Sequence, residues 1–234
     1  MHYQIEPIGI VRSPYKEKFA VPRQPGLVPS ARSEIVLQGE ANALEAVRGL
    51  EQFSHLWLLF LFDQNLEAGW RPTVRPPRLG GNERIGVFAS RATFRPNGIG
   101  MSAVELIGVR QQSSNVIIEL GGVDLVDGTP IVDIKPYIPY SDSLPHAHGG
   151  FADGEPITLP VVFSEKAESQ FKGKQLARQR MVITEVLAQD PRPAYKKGKE
   201  DNKEYAVHLF DYNVKFTVAN DVVTVTALDK PITK

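Results

Sequence analysis

The sequence predicts a mainly β fold, in which a strand-built N-terminal domain precedes a smaller α+β domain. Three observations predict it. The first two-thirds of the chain carry short apolar or alternating runs separated by turn residues, with almost no helical periodicity. A stretch rich in Pro, Gly, Ser and His, "PYSDSLPHAHGGFADGEP" (139–156), then breaks the pattern. From Ile157 onward a helix-prone segment leads into closing strands. The expected domains are therefore 1–156 and 157–234.

Taken in order, "EIVLQG" (34–39), "HLWLLFLF" (55–62), "RIGVFAS" (84–90), "SAVELIGV" (102–109), "NVIIEL" (115–120) and "PIVDIKPYI" (130–138) read as strands. "ANALEAVRGL" (41–50) reads as one short helix with Gly49 as its C-cap. Strands this close, without crossover helices, argue for a barrel or sandwich and against a doubly wound parallel sheet. In the second domain "ITLPVVF" (157–163) is a strand and Ser164 an N-cap. "EKAESQFKGKQLARQRMVITEVLAQ" (165–189) is helix-prone, with Gly173 as a break, and "DPRPAYKKGKEDNKEYAV" (190–207) is a polar loop. "HLFDYNVKFTV" and "VVTVTAL" close the chain as strands joined by an "AND" hairpin.

With 42% hydrophobic residues in 234, the chain has enough apolar surface for a sizeable core. It has no cysteine, which excludes disulfides, thiolate nucleophiles and Cys-based metal sites and suits a reducing cytoplasm. The longest apolar run, Leu56–Phe62, is far below the ~18 residues that span a bilayer, and no basic-then-apolar leader opens the chain. A soluble, cytoplasmic protein with no membrane partner is expected. His146 and His148 lie in the Gly-rich stretch near Asp142 and Asp153, but no third ligand is fixed by spacing, so no metal is expected.

Net charge is zero, yet charge is unevenly placed. Arg71, Arg75, Arg78, Arg84, Arg91 and Arg95 face a single acid, Glu83, a local balance of +5 (six minus one). Arg12, Lys16, Lys18 and Arg23 form a second basic stretch against Glu17. Arginine on proline-stiffened loops suits carboxylate or phosphate recognition, because its planar fork binds bidentately.

"NVIIELGGVDLVDG" (115–128) mimics the strand-then-glycine entry of a nucleotide-binding fold. A helix must follow such glycines, and here "VDLVDGTPIVDIK" continues as turn and strand. Gly121 and Gly122 therefore mark a bulge or tight corner. There is no P-loop and no Gly-x-Ser-x-Gly elbow. His55 reads either as a general base or as a hydrogen-bonded core histidine. Asp124, Asp127 and Asp133 could align a base amine or accept a proton, but turn and strand-end acids are usually solvated, so none is assigned a catalytic role and the catalytic residue is left unknown.

Four segments carry a family resemblance: "IGIVRSPYKEKFAVPRQPGL" (8–27), "LEQFSHLWLLFLF" (50–62), "RPTVRPPRLGGNERIGVFASRATFRPNGIGMSAVEL" (71–106) and "DLVDGTPIVDIKPYIPYSDS" (124–143). They resemble the TsaA-like family, and the tail "EVLAQDPRPAYKKG" (185–198) resembles its longer two-domain bacterial members. The resemblance runs nearly end to end. It implies a single-sheeted β-barrel that binds S-adenosyl-L-methionine without a Rossmann fold, usually as a homodimer with the cofactor near the interface. It implies methylation at N6 of threonylcarbamoyladenosine, next to the anticodon of tRNA, with the C-terminal domain helping to engage that tRNA. The family's cofactor contacts carry over onto Gln24, Pro25, Gly26, Asp63, Gln64, Arg91, Met101, Gly128, Thr129, Pro130 and Ile131. Family members often have histidine where this chain has Asp63, so a backbone contact is what carries over there.

The physical character of these residues suits the roles. Arg91 or Arg95 offers a fork for a carboxylate or phosphate, Gly26 and Gly128 permit close backbone approach, and Met101 can cover an adenine face. In the C-terminal domain Arg192, Tyr195, Lys196 and Lys197 pair cations with an aromatic ring, as single-stranded RNA binding requires. Two rival readings are a non-catalytic RNA-binding β-barrel and a methyltransferase for a small metabolite. The basic, aromatic-bearing "DPRPAYKKG" loop speaks against the second.

Overall fold

The structure is a computed structural model that describes residues 2–171, 176–198 and 201–230. Its N-terminal part contains β1 (Gly9–Arg12), β2 (Arg32–Leu37), β3 (His55–Leu61), α1 (Asp63–Leu66), β4 (Thr73–Val74), β5 (Ile85–Gly86), β6 (Ile99–Gln112), β7 (Asn115–Gly121), β8 (Pro130–Pro136) and α2 (Pro139–Asp142). Its C-terminal part contains β9 (Val161–Phe163), α3 (Glu165–Gln170), α4 (Leu176–Ala188), β10 (Asp201–Leu209), β11 (Tyr212–Ala219) and β12 (Val222–Asp229).

Six antiparallel strands hydrogen-bond in the order β1-β2-β7-β6-β3-β8, and β8 pairs back to β1 through Gly9↔Ile131, so the sheet closes on itself. Side chains alternate across each strand, and β3 shows the consequence: Leu56, Leu58 and Phe60 are buried while their neighbours point outward. Val11, Ile35, Val116, Ile118, Leu120 and Ile131 meet them inside. Closure leaves no open edge, which suits a run as apolar as "HLWLLFLF".

Two expectations for the N-terminal part need correction. "RIGVFAS" is not a full strand, since β5 covers two residues and a 3-10 turn at Val87–Ala89 follows. "ANALEAVRGL" is not an α-helix but a pair of 3-10 turns, Gly39–Ala41 and Leu44–Val47, and Gly49 (φ 84) opens a third instead of capping a helix. Only Val47 is buried between 39 and 52, so no apolar stripe at helical spacing anchors this segment.

In the C-terminal part β9 pairs parallel with β12 in a sheet of order β10-β11-β12-β9. Ser164 does cap α3, its Oγ accepting from the Ala167 N–H at 3.1 Å. Val182, Ile183, Val186 and Leu187 of α4 are buried. Gly173 lies outside the described residues. The run 190–207 is not all loop: β10 begins at Asp201, and "HLFDYNVKFTV" contains a turn in which Phe210 has φ 53. The "AND" hairpin is present, with Asn220 and Asp221 both at positive φ.

The two parts interlock. Tyr15 bridges to Leu209, the Phe210 N–H donates to the Pro14 carbonyl at 2.8 Å, and the His208 N–H donates to Glu17 Oε1 at 2.9 Å. Their buried apolar residues form one continuous cluster, from Val11 to Leu228. Among the described residues no helix is long and apolar enough to cross a membrane, and no group of three His, Asp or Glu side chains is arranged to hold a metal.

Candidate active site

The Arg-rich segment 91–98 ends at the mouth of β6, and its backbone explains its composition. Asn97 (φ 63) and Gly98 (φ 60) turn left-handed, which places the Gly98 carbonyl to accept from the Phe62 N–H at 2.7 Å. A Cβ on Gly98 would strike Leu66 of α1, and one on Gly100 would strike the Phe60 and Phe62 rings. Those rings pack edge to face with centroids 5.3 Å apart. Glycine is needed so that two aromatics can lie across the strand.

Loops then converge on this corner. Arg91 Nη1 donates to Gln24 Oε1 at 2.6 Å, tying segment 91–98 to the loop after β1. Arg95 Nη1 donates to the Ser90 carbonyl at 3.0 Å and so closes its own loop. Lys18 Nζ donates to Asn65 Oδ1 of α1 at 2.7 Å. Between them opens a cavity of ≈ 510 Å³, in the range of small-molecule sites. Gln24, Asp63, Gln64, Arg91, Met101 and Thr129 all line it, together with Phe60, Phe62, Ser102 and Asp124. Cationic, anionic, amide and apolar surface thus face one volume, which suits a zwitterion joined to an aromatic base.

Of the three acids the sequence offered without choosing between them, Asp124 alone lines this cavity. Its Oδ1 is sealed from solvent and has no hydrogen-bond partner among the described residues. Burial raises its pKa from 3.8 to about 6, against the Ser102 hydroxyl, its own backbone and the Arg91 charge, which all favour the carboxylate. The other two acids noted with it are occupied: Asp127 accepts from the Ser13 N–H (2.9 Å) and Lys16 Nζ (2.8 Å), and Asp133 pairs with Lys135 (2.8 Å).

A second, larger cleft of ≈ 940 Å³ adjoins the first and shares Lys18, Val21, Pro22, Arg23, Arg91 and Thr93 with it. Arg71, Arg75 and Arg84 add further positive charge, and Phe19 and Phe94 add aromatic surface. Its far wall is the end of α4: Val186, Gln189, Asp190 and Pro191. Burial lowers the pKa of Arg23, with Asp190 raising it and Arg78 lowering it.

Comparison with known proteins now decides the family. A model described as the tRNA-methyltransferase O N-terminal domain matches residues 10–143, and one described as the TrmO C-terminal domain matches 156–231. The chain belongs to the TrmO family. It is 57% identical over 230 residues to an Escherichia coli protein named tRNA (adenine(37)-N6)-methyltransferase, covering 97% of this chain and 98% of that one. A crystal structure of TrmO from Pseudomonas aeruginosa superposes with a TM-score of 0.81 at 41% identity, covering 99% of this chain and 98% of the other. A Methanothermobacter thermautotrophicus protein named a probable S-adenosyl-L-methionine-binding protein is 40% identical over 144 residues, 62% of this chain and 96% of that one.

Not every residue suggested by the TrmO-family resemblance lines the smaller cavity. Pro25 and Gly26 face a shallow hollow beside it, with His55, Ala103 and Glu105. The Gly26 N–H donates to the Gly122 carbonyl at 2.7 Å, a tight corner in which a Cβ on Gly122 (φ 62) would lie 3.2 Å from Gly26 Cα. Gly128 (φ 85) donates its N–H to the Val11 carbonyl at 2.8 Å, Pro130 pairs with Ile10, and Ile131 is wholly buried. These three build the β1–β8 junction and carry Thr129 to the cavity wall. Met101 does line the cavity, from the outer face of β6, where it is 54% exposed. His55 is neither in the core nor in the cavity: it is exposed, with Nδ1 2.9 Å from Ser54 Oγ and its ring edge-on to Tyr137.

The four C-terminal candidates also separate. Tyr195 is 65% exposed. Arg192 is only 3% exposed and forks onto Asp190, Nε to Oδ1 at 2.8 Å and Nη2 to Oδ2 at 2.9 Å. Lys197 is half-buried, donates to the Gln189 carbonyl at 3.1 Å, and has its pKa lowered by burial. Lys196 lies in the 3-10 turn Ala194–Lys196 between them.

Proposed function

We propose that this chain is an S-adenosyl-L-methionine-dependent methyltransferase that methylates N6 of threonylcarbamoyladenosine beside the anticodon of tRNA. The observation that carries this reading is the junction of two cavities at Arg91. One has the size and mixed polarity for the cofactor, and the other is broad and basic enough for an anticodon-loop nucleotide. The closed six-stranded sheet is a single-sheeted barrel with this site on its rim, in a domain ending at residue 156; residues 157–234 form the α+β domain.

The residues present fit the cofactor. Arg91 is placed to pair with its α-carboxylate and Asp63 with its α-ammonium, while Gln24 and Gln64 offer amides to the base edges. Phe60, Phe62 and Met101 supply apolar cover. Bound there, the cofactor supplies an electrophilic methyl group on sulfonium. The chain's own task is positioning: the Arg91–Gln24 bond fixes the two loops, and the aromatic pair over Gly100 excludes water. The acidic arm of the modified adenosine finds Arg71, Arg75 or Arg84 in the cleft. Tyr195, Lys196 and Lys197 are the contacts proposed for the rest of the anticodon arm.

The protein acts as a homodimer in the cytoplasm on this reading. Pro25, Gly26 and Met101 lie on an outward face next to the cofactor cavity, where a second copy completes the enclosure. The test is mass spectrometry of tRNA nucleosides from cells with and without the gene. Loss of N6-methylated threonylcarbamoyladenosine, restored by the gene, is the expected result. Unchanged nucleosides reject the substrate, and an unmethylated RNA partner recovered with the protein would favour the non-catalytic reading.

A further inference from the structure

One carboxylate on the wall of the cofactor cavity has an oxygen without a partner among the described residues. Asp124 sits on the cavity wall beside Ser102, and its Oδ1 is buried without a hydrogen-bond partner among the described residues. Buried polar atoms are nearly always paired, because an unpaired one forfeits the hydration it had when unfolded. An orphan acceptor on a side chain that lines a ligand cavity, one turn of the carboxylate away from that cavity, points to a donor brought by the ligand. Two classes of donor come to this wall on the reading above: the cofactor's ammonium, and the N6–H of the target adenine reaching in from the adjoining cleft past Arg91, whose charge acts on Asp124.

We propose that Asp124 is the proton acceptor for the methyl transfer. This rests on the methyltransferase reading of the same site. The N6–CH3 bond forms as the S–CH3 bond breaks and sulfur takes the electron pair. The N6 proton passes to the Asp124 carboxylate, leaving a neutral thioether and a neutral methylated base. That N–H lies between an adenine ring and a carbonyl, which makes it more acidic than an unmodified adenine amine, so a carboxylate is base enough.

The surroundings favour this assignment. Arg91 from the 91–98 loop and Ser102 from β6 hold Asp124 ionised, and the Tyr15 phenol is the titratable group facing it from the loop after β1. Burial and the charges of Asp124 and Glu185 push the Tyr15 pKa upward, so Tyr15 stays a neutral neighbour. Desolvation makes Asp124 a stronger base than an exposed carboxylate, while leaving it mostly deprotonated at neutral pH. Asp127 and Asp133 are already occupied by cations, and Asp63 is exposed at the start of α1.

The experiment uses the full chain, tRNA carrying threonylcarbamoyladenosine, and S-adenosyl-L-methionine. Asp124→Asn is expected to slow single-turnover methyl transfer by roughly 100-fold or more while cofactor affinity by calorimetry stays within about threefold. The wild-type rate should rise with pH through about 6 and level off, and Asp124→Asn should lose that limb. Ser102→Ala removes a group favouring the carboxylate, so the limb should move to higher pH; this variant decides the matter if Asp124→Asn does not fold. In the ligand-free protein Asp124→Asn should raise the melting temperature at pH 7–8 and not below pH 4, since the buried charge is then gone. Transfer within threefold of wild type overturns the proposal. So does a loss accounted for by an equal loss of cofactor affinity, which would make Asp124 an ammonium anchor. A wild-type protein that transfers no methyl group to this tRNA at any pH overturns the methyltransferase reading and the proposal with it.

Discussion

Arg91 and Arg192 carry the same charge and face opposite fates, because burial and partner decide what a guanidinium does. Arg192 is enclosed and bidentate on Asp190, whose own backbone is left-handed at φ 48. Removing one member of such a pair leaves an uncompensated buried charge, so Arg192→Ala should destabilise the protein by about 3–5 kcal/mol, read by urea unfolding. If stability held and only tRNA affinity fell, Arg192 would be an RNA contact after all. Arg91 is exposed, single-bonded to Gln24 and turned to the cavity. Arg91→Ala should weaken cofactor binding by about 1.5–3 kcal/mol in a protein of unchanged melting temperature; unchanged affinity would remove it from the contact set. Asp124 carries a pH signature. Its folded pKa, about 6, lies above its unfolded 3.8, so the native state binds more protons between those values. Its contribution to stability is then lost as pH rises across that window and is constant above it. Composition placed Arg91 on a stiffened loop, which is where the structure has it. It did not foretell the burial of Arg192, which depends on where α4 delivers Asp190.

At the scale of elements, the loop that carries Gln24, Pro25 and Gly26 is braced by a helix from the other end of the chain. The Ser30 N–H and Oγ donate to the Glu185 carboxylate at 3.0 and 2.6 Å, and Gln189 Nε2 donates to the Leu27 carbonyl at 3.4 Å. Glu185→Ala frees that loop without opening the core. Cofactor affinity should fall about three- to tenfold, with a melting temperature only slightly lower; calorimetry and thermal unfolding together check this, and wild-type affinity would show that the brace is irrelevant. Elements set by local chemistry were legible in sequence: the Ser164 cap, the Asn220–Asp221 turn, and strands whose alternation is strong. Those set by tertiary context were not. A bulky Phe210 is a poor turn signal, so the β10–β11 hairpin was hidden inside one apolar run, and polar residues concealed the start of β10. The brace between Glu185 and Ser30 spans 155 positions, and no local pattern announces it.

The two parts of the molecule are packed on each other. Leu209 and Tyr15 are both fully buried and bridge the two parts, and the apolar cluster is continuous through them. A chain ended after Phe151 should therefore lose more than tRNA affinity. Its melting temperature should fall by more than about 10 °C and its cofactor affinity should drop, because buried apolar surface and the Glu185 brace go together. A truncated chain with wild-type stability and cofactor binding would show that the parts are independent. The central claim, that the cavity pair at Arg91 joins a methyl donor to a modified anticodon-loop adenine, has a direct test. Purified protein is mixed with methyl-labelled S-adenosyl-L-methionine and one tRNA in two forms, with and without the threonylcarbamoyl group, and the digested nucleosides are identified by mass spectrometry. The account predicts one labelled methyl group on N6 of threonylcarbamoyladenosine and none on the unmodified tRNA; label on neither form, or equally on both, would contradict it.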